Sequence, residues 1–121
     1  MSLPWVRLDS QFPSNPKVLA LVSDKAYQAL VVYVGGLAYA GAHGTDGFIP
    51  RSALPFIHGR TRDAETLVRV GLWNECAGGW DVQSWADYQP SVEEFQKRRD
   101  RAKRAAAKRW SDHVAKGNAD A

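Results

Sequence analysis

Gly47-Phe48-Ile49-Pro50, His58-Gly59-Arg60-Thr61, Val70-Gly71-Leu72-Trp73 and Ala77-Gly78-Gly79-Trp80 punctuate the stretch from residue 47 to residue 85, and their order decides the fold. The first reads as a very short strand. Pro50 lacks the N–H that a ladder needs, so it ends the strand at a sheet edge. Residues 51–57 can form a short helix, and residues 58–61 a tight turn. Thr61 can cap a helix over residues 62–70 whose inward face is Ala64, Leu67 and Val68. Gly71 stands where a left-handed C-terminal cap belongs, with Leu72 folding back on the helix. Two short strands follow, over residues 72–76 and 80–85, and Gly78-Gly79 supplies the positive φ of a tight hairpin. Alternation puts Trp80 and Val82 on one face and Asp81 and Gln83 on the other.

Working outward to the N-terminal side, residues 5–8 are short, mixed and extended. Ser14 or Asn15 can cap a helix opening on Pro16, whose missing N–H costs nothing at the first helical position. It runs to about Val22, with Val18, Leu19 and Val22 inward. A second helix spans residues 25–42, with Ala26, Leu30, Val34, Leu37 and Ala38 on its inner face and Tyr27 and Val31 widening it. Gly35 and Gly36 weaken that helix and imply close approach of another element, or a bend. The uncharged run from Ala26 to Thr45 is diluted by Ala and Gly, which favours a buried helix over a membrane span. To the C-terminal side, residues 86–90 read as a linker. Ser91 with Glu94 forms a capping box. A strongly helix-favouring segment continues to about Val114, and residues 116–121 read as a disordered tail.

Helix, helix, short strand, helix, turn, helix, hairpin is the order of a winged helix, so an α+β, mostly α fold is expected: a winged helix-turn-helix over residues 1–88, with a basic helical extension over residues 89–115. At this level the chain resembles the N-terminal winged-helix domain of phage and prophage replisome-organiser (DnaD-like) replication-initiation proteins. The resemblance spans residues 5 to 105. It rests on Trp5-Val6-Arg7-Leu8-Asp9, Pro16-Lys17-Val18-Leu19, Thr45-Asp46-Gly47-Phe48-Ile49-Pro50, Val70-Gly71-Leu72-Trp73 and Trp85-Ala86-Asp87-Tyr88-Gln89-Pro90-Ser91, followed by the Glu- and Arg-rich helix. It implies DNA-associated work in starting or organising replication, and a domain of a type that often self-associates.

Charge points the same way. Residues 97–109 hold eight of the 16 Lys and Arg residues and a single acid, Asp100, a local charge of +7 in a chain whose total is +3. The rest is mildly acidic, and a concentrated cation on an acidic body most often seeks nucleic acid. Lys97, Arg98, Arg99, Arg101, Lys103, Arg104, Lys108 and Arg109 are therefore candidate phosphate contacts, pointing in nearly every direction around their helix. About five contacts would give a log K against log salt slope near −4.5. Arg60, Arg62 and Arg69 are candidate positioning contacts of the helix-turn-helix. Asp63 and Glu65 beside them, and a hairpin without Lys or Arg, leave an alternative: a protein-binding or dimerising module whose partner is a host or phage replication protein, or a second copy. Duplex DNA is the expected ligand, and RNA stays open because phosphate contacts do not choose the sugar. Val92, Phe95, Arg99, Ala102, Ala106 and Trp110 form a rough three-four seam, with Trp110 expected to pack rather than to stack on a base.

Nothing points to catalysis. His43, His58 and His113 have no ligand spacing between them. Glu93-Glu94 reads as helix capping, and no Gly-rich loop precedes a Lys-Ser or Lys-Thr pair. Cys76, the only cysteine, has no activating pattern around it and fits a half-buried strand position. No enzyme activity, metal or cofactor is expected. Met1-Ser2-Leu3-Pro4-Trp5 has neither a basic n-region nor an apolar h-region, so no secretory leader or membrane association is expected, and cytoplasm (or nucleoid) is the expected location.

Overall fold

In the computed structural model, which describes residues 2–89 and 92–119, the chain divides after Gln89 into two units. The first opens with a short 3-10 turn, Phe12–Ser14, and its α-helices begin after Asn15, whose side-chain oxygen accepts from the Lys17 backbone N–H at 2.9 Å. Helix α1, Pro16–Ser23, buries Val18 and Leu21. Leu19 and Val22, expected inward, are exposed. Residues 18–22 are all apolar, so in this two-turn helix periodicity alone does not choose a face, and packing against the next helix settles it.

Lys25 was expected inside that next helix but adopts a positive φ of 56° ahead of it. Helix α2, Tyr27–His43, therefore starts two residues late. It buries Ala29, Val32, Gly36, Leu37, Ala40 and Gly41. Of the expected inner face only Leu37 is buried. Tyr27, Val31 and Val34 are about half exposed, and Ala38 is exposed as well. The correction has a steric cause. The small residues face inward because other elements lie almost against the α2 backbone: a Cβ on Gly36 would stand 2.8 Å from both Ile49 Cδ1 and Trp73 Cζ2. The expected close approach is present at Gly36, on the opposite side from Tyr27, Val31 and Val34.

Strands β1 (Phe48–Pro50), β2 (Trp73–Cys76) and β3 (Gly79–Val82) form an antiparallel sheet in the order β1-β3-β2. Ile49 and Glu75 both pair with Trp80, and Phe48 and Asn74 both pair with Asp81. Trp80 and Val82 are buried as alternation requires. Gly78 takes the positive φ, at 82°; Gly79 does not. Its requirement is space, since a Cβ there would collide with the Ile49 carbonyl oxygen and lie 2.9 Å from Pro50 Cα. Between β1 and β2 come a 3-10 helix, Arg51–Ile57, and helix α3, Thr61–Val70. Gly71 ends α3 at φ 88°, and the Leu72 N–H reaches back to the Leu67 carbonyl at 2.9 Å. Trp73, Leu21, Ile49, Leu67 and Val32 are the largest fully buried side chains, each contributing about 1.5–3 kcal/mol of burial.

Two boundaries move. Strand β3 stops at Val82, and Ser84, at φ 59°, turns the chain into a one-turn helix α4, Trp85–Tyr88, with Trp85 buried. The expected linker over residues 86–90 is thus structured as far as Gln89; residue 90 lies outside the described residues. Gln89 is buried: its side chain accepts from the Arg7 N–H at 2.8 Å and donates to the Arg7 carbonyl at 2.7 Å. Gln89 thus closes the first unit.

The second unit is helix α5, Val92–Ala119, 28 residues long. Ala, Lys, Arg and Gln favour it over residues 96–109, and Glu93 and Glu94 sit in its first turn, where carboxylates complement the helix dipole. The proposed Ser91 cap lies outside the described residues. Of residues 116–121, expected as a disordered tail, those up to Ala119 lie within the helix; residues 120 and 121 lie outside the described residues.

Candidate functional site

All eight cations of residues 97–109 are exposed on α5. Lys97 lies 3.4 Å from Glu93, one turn away, with both side chains mostly in solvent. Arg104 Nε approaches the Asp100 carbonyl at 3.4 Å. Neither contact withdraws its cation from the surface, since exposed pairs of this kind contribute little. Because the helix is unbroken across the run, the cations can be placed on a wheel of about 100° per residue. Arg104, Lys97, Lys108, Arg101, Arg98 and Arg109 fall within an arc of about 140° on that geometry, and only Arg99 and Lys103 lie outside it. Cations occur around the whole helix, but unevenly: it has a basic face and a poorer one.

The expected seam occupies the poorer face. Ala102, Ala106 and Arg99 are exposed. Trp110 is 69% exposed, in a tilted contact with the His113 ring at 6.0 Å, rather than packed. The side chains of Val92 and Phe95 lie outside what is described.

In the first unit, Arg60, Arg62 and Arg69 are exposed at the N-cap and along α3. Arg69 reaches Asp24 at 3.5 Å across two largely exposed side chains. Among the described residues Arg60 and Arg62 have no ion-pair partner. Arg60, not Thr61, holds the N-cap position of α3, and Asp63 accepts its backbone N–H at 2.9 Å. Asp63 is buried, 6% exposed, so it belongs to the helix terminus and not to the surface carrying the arginines. Of the two acids weighed against that surface, only Glu65 is exposed.

Sequence reading also missed a cation at the hairpin. Arg51, from the 3-10 helix, lies over the Trp80 ring at 4.8 Å from its centroid and pairs with Glu75 at 2.8 Å. The hairpin has no Lys or Arg of its own, yet it presents one supplied from the neighbouring segment. The signal was indirect: Arg51 follows Pro50, and Pro50 pairs with Gly79. Lys17 donates to the Gly71 carbonyl at 3.0 Å, placing a cation at the C-terminal end of α3.

A different surface lies on α2. Tyr27, Val31 and Val34 share its exposed face, and Phe56 of the 3-10 helix is 80% exposed. Phe56, Gly35, Ala38, Ala42 and Ile57 help line a groove of about 550 Å³.

The chemistry-bearing side chains remain scattered. His43 stacks on Tyr39 at 4.1 Å, His58 ends the 3-10 helix, and His113 lies beside Trp110. Among the described residues no three His, Cys, Asp or Glu side chains gather around a point where a metal could sit. Desolvation, and after it the neighbouring Asp81 carboxylate, raise the pKa of the Cys76 thiol, which disfavours the nucleophilic thiolate. Among the described residues no helix is long and apolar enough to cross a membrane. No protein-family model, curated protein or solved structure matches the chain.

Proposed function

We propose that the chain is a winged-helix protein that binds nucleic acid, with duplex DNA as its first ligand. In this reading α2, the 3-10 helix and α3 are the three helices, α3 is the recognition helix, and the β2–β3 hairpin is the wing. The sheet order β1-β3-β2, with the hairpin following α3 directly, supports it. So does Asp63, which turns inward and leaves Arg60, Arg62 and Arg69 as the dominant charges of the α3 surface. The observation that carries the functional reading is the unbroken, exposed basic segment of α5. It supplies sequence-independent phosphate affinity, while the α3 arginines position the domain. The resemblance to phage and prophage replisome organisers extends the proposal to a host-cytoplasmic role in replication initiation.

A mobility-shift titration on duplex DNA at two salt concentrations tests this, using the full chain and a truncation after Gln96. Binding that weakens steeply with salt and is lost on truncation supports the reading; an intact chain that ignores duplex and single strands in dilute buffer ends it. Parallel single-stranded and RNA probes decide the ligand class.

The exposed apolar face of α2, with Phe56 and its groove, favours a second reading: an interaction module for a replication protein or a second copy. Lys103, Arg104, Lys108 and Arg109 replaced together by Ala would then leave partner binding intact, whereas Phe56→Ser would abolish it.

A further inference from the structure

We propose that α5 grips duplex nucleic acid through one face only, with Arg98, Arg101, Arg104, Lys108, Arg109 and Lys97 against the phosphates and Arg99, Lys103 and Trp110 turned away. This deepens the nucleic-acid reading above and rests on it. The helix is continuous from Val92 to Ala119, so the register of its side chains is fixed across the whole basic run. At 1.5 Å per residue the run is about 18 Å long, and on the wheel its six clustered cations centre near Arg101. Trp110 falls about 180° from that centre. Asp112 returns to the basic face one turn beyond Arg109 and closes the favourable stretch at that end.

Screening makes the two faces unequal. A helix with its side chains is about 10–12 Å across. At physiological salt the Debye length is about 8 Å. When the basic face lies on a phosphate row, charges on the far side stand more than one screening length away and add little. A helix enclosed on both sides by phosphates would instead use all eight cations. Counterion release separates these cases: about six contacts give a slope near −5.4, about eight a slope near −7.2.

Two matched double variants provide the test. Arg101→Ala with Lys108→Ala removes charge from the centre of the basic face. Arg99→Ala with Lys103→Ala removes the same residue types and the same charge from the far side. Both leave the helix at least as favourable in propensity, which far-ultraviolet circular dichroism checks. Affinity for a duplex DNA probe is measured at several salt concentrations. The first pair should lose about tenfold or more and flatten the slope by about 1.8. The second should lose less than about threefold and keep the slope, and Trp110→Phe should leave affinity unchanged. Equal losses from the two pairs, or a marked loss from Trp110→Phe, would overturn the one-faced grip while leaving nucleic-acid binding in place. Failure of the parent chain to bind at low salt removes the broader reading and this inference with it.

Discussion

The first unit and α5 are held together by different physics. Residues 2–89 depend on contacts between distant segments: Gly36 beneath Ile49 and Trp73, Gly79 beneath Ile49, Gln89 across to Arg7. In α5 no described side chain is buried. That helix rests on propensity, on the Glu93–Lys97 pair and on the bond from the Gln96 side chain to Asp100 at 3.1 Å. Substitutions in the first unit should therefore act on a cooperative whole, and those in α5 on one turn at a time. A part stabilised locally can present charge on every exposed residue, because it has no core to serve.

The sharpest way to break the first unit is at Gly79. A methyl group there meets the Ile49 carbonyl oxygen, so Gly79→Ala should force β1 away from β3 and cost about 3 kcal/mol or more, read from urea denaturation. Leu21→Ala should cost about 3 kcal/mol by opening a cavity beneath α1. Its exposed neighbour Leu19→Ala should stay within about 0.5 kcal/mol, and this pair directly tests which face of α1 is inside. Gln89→Ala should cost about 2 kcal/mol, because it leaves the Arg7 N–H and carbonyl unpaired. In α5, Ala106→Gly should cost about 1 kcal/mol of local helix stability, seen as lost ellipticity at 222 nm, and leave the melting temperature of the first unit unmoved. The smallest effect concerns Cys76: its raised pKa should slow alkylation at neutral pH relative to a free thiol, and the deficit should shrink as pH rises.

What the sequence made legible was its punctuation. Pro50 marked the edge strand, Gly71 the end of α3 and Gly78 the hairpin turn, because each position has a backbone demand that few residues meet. The 3-10 helix, α3 and the alternation of β3 could be placed from those marks. The inner faces of α1 and α2 could not. In α2 the interface mixes Ala29, Gly36, Ala40 and Gly41 with Val32 and Leu37, and ranking by hydrophobicity equally favours Tyr27, Val31 and Val34, which stay outside. Close packing of small residues has no periodic signature of its own. Asp63 was misjudged for a related reason, since a carboxylate three residues after a cap position is surface charge or a terminus bond according to context. The basic run of the candidate site was plain from composition. Its unevenness follows from placing that same expected helix on a wheel, whereas Arg51 at the hairpin needed the pairing of Pro50 with Gly79.

Gln89 uses one side-chain amide to mimic what a neighbouring β-residue does, giving and receiving a bond with the Arg7 backbone. The entry and exit of the first unit are thereby stitched to each other. A circular permutant that joins these ends by a few Gly and Ser residues and reopens the chain at the Ala77-Gly78 turn should keep the native topology, because the new covalent link only replaces a closure the amide already makes.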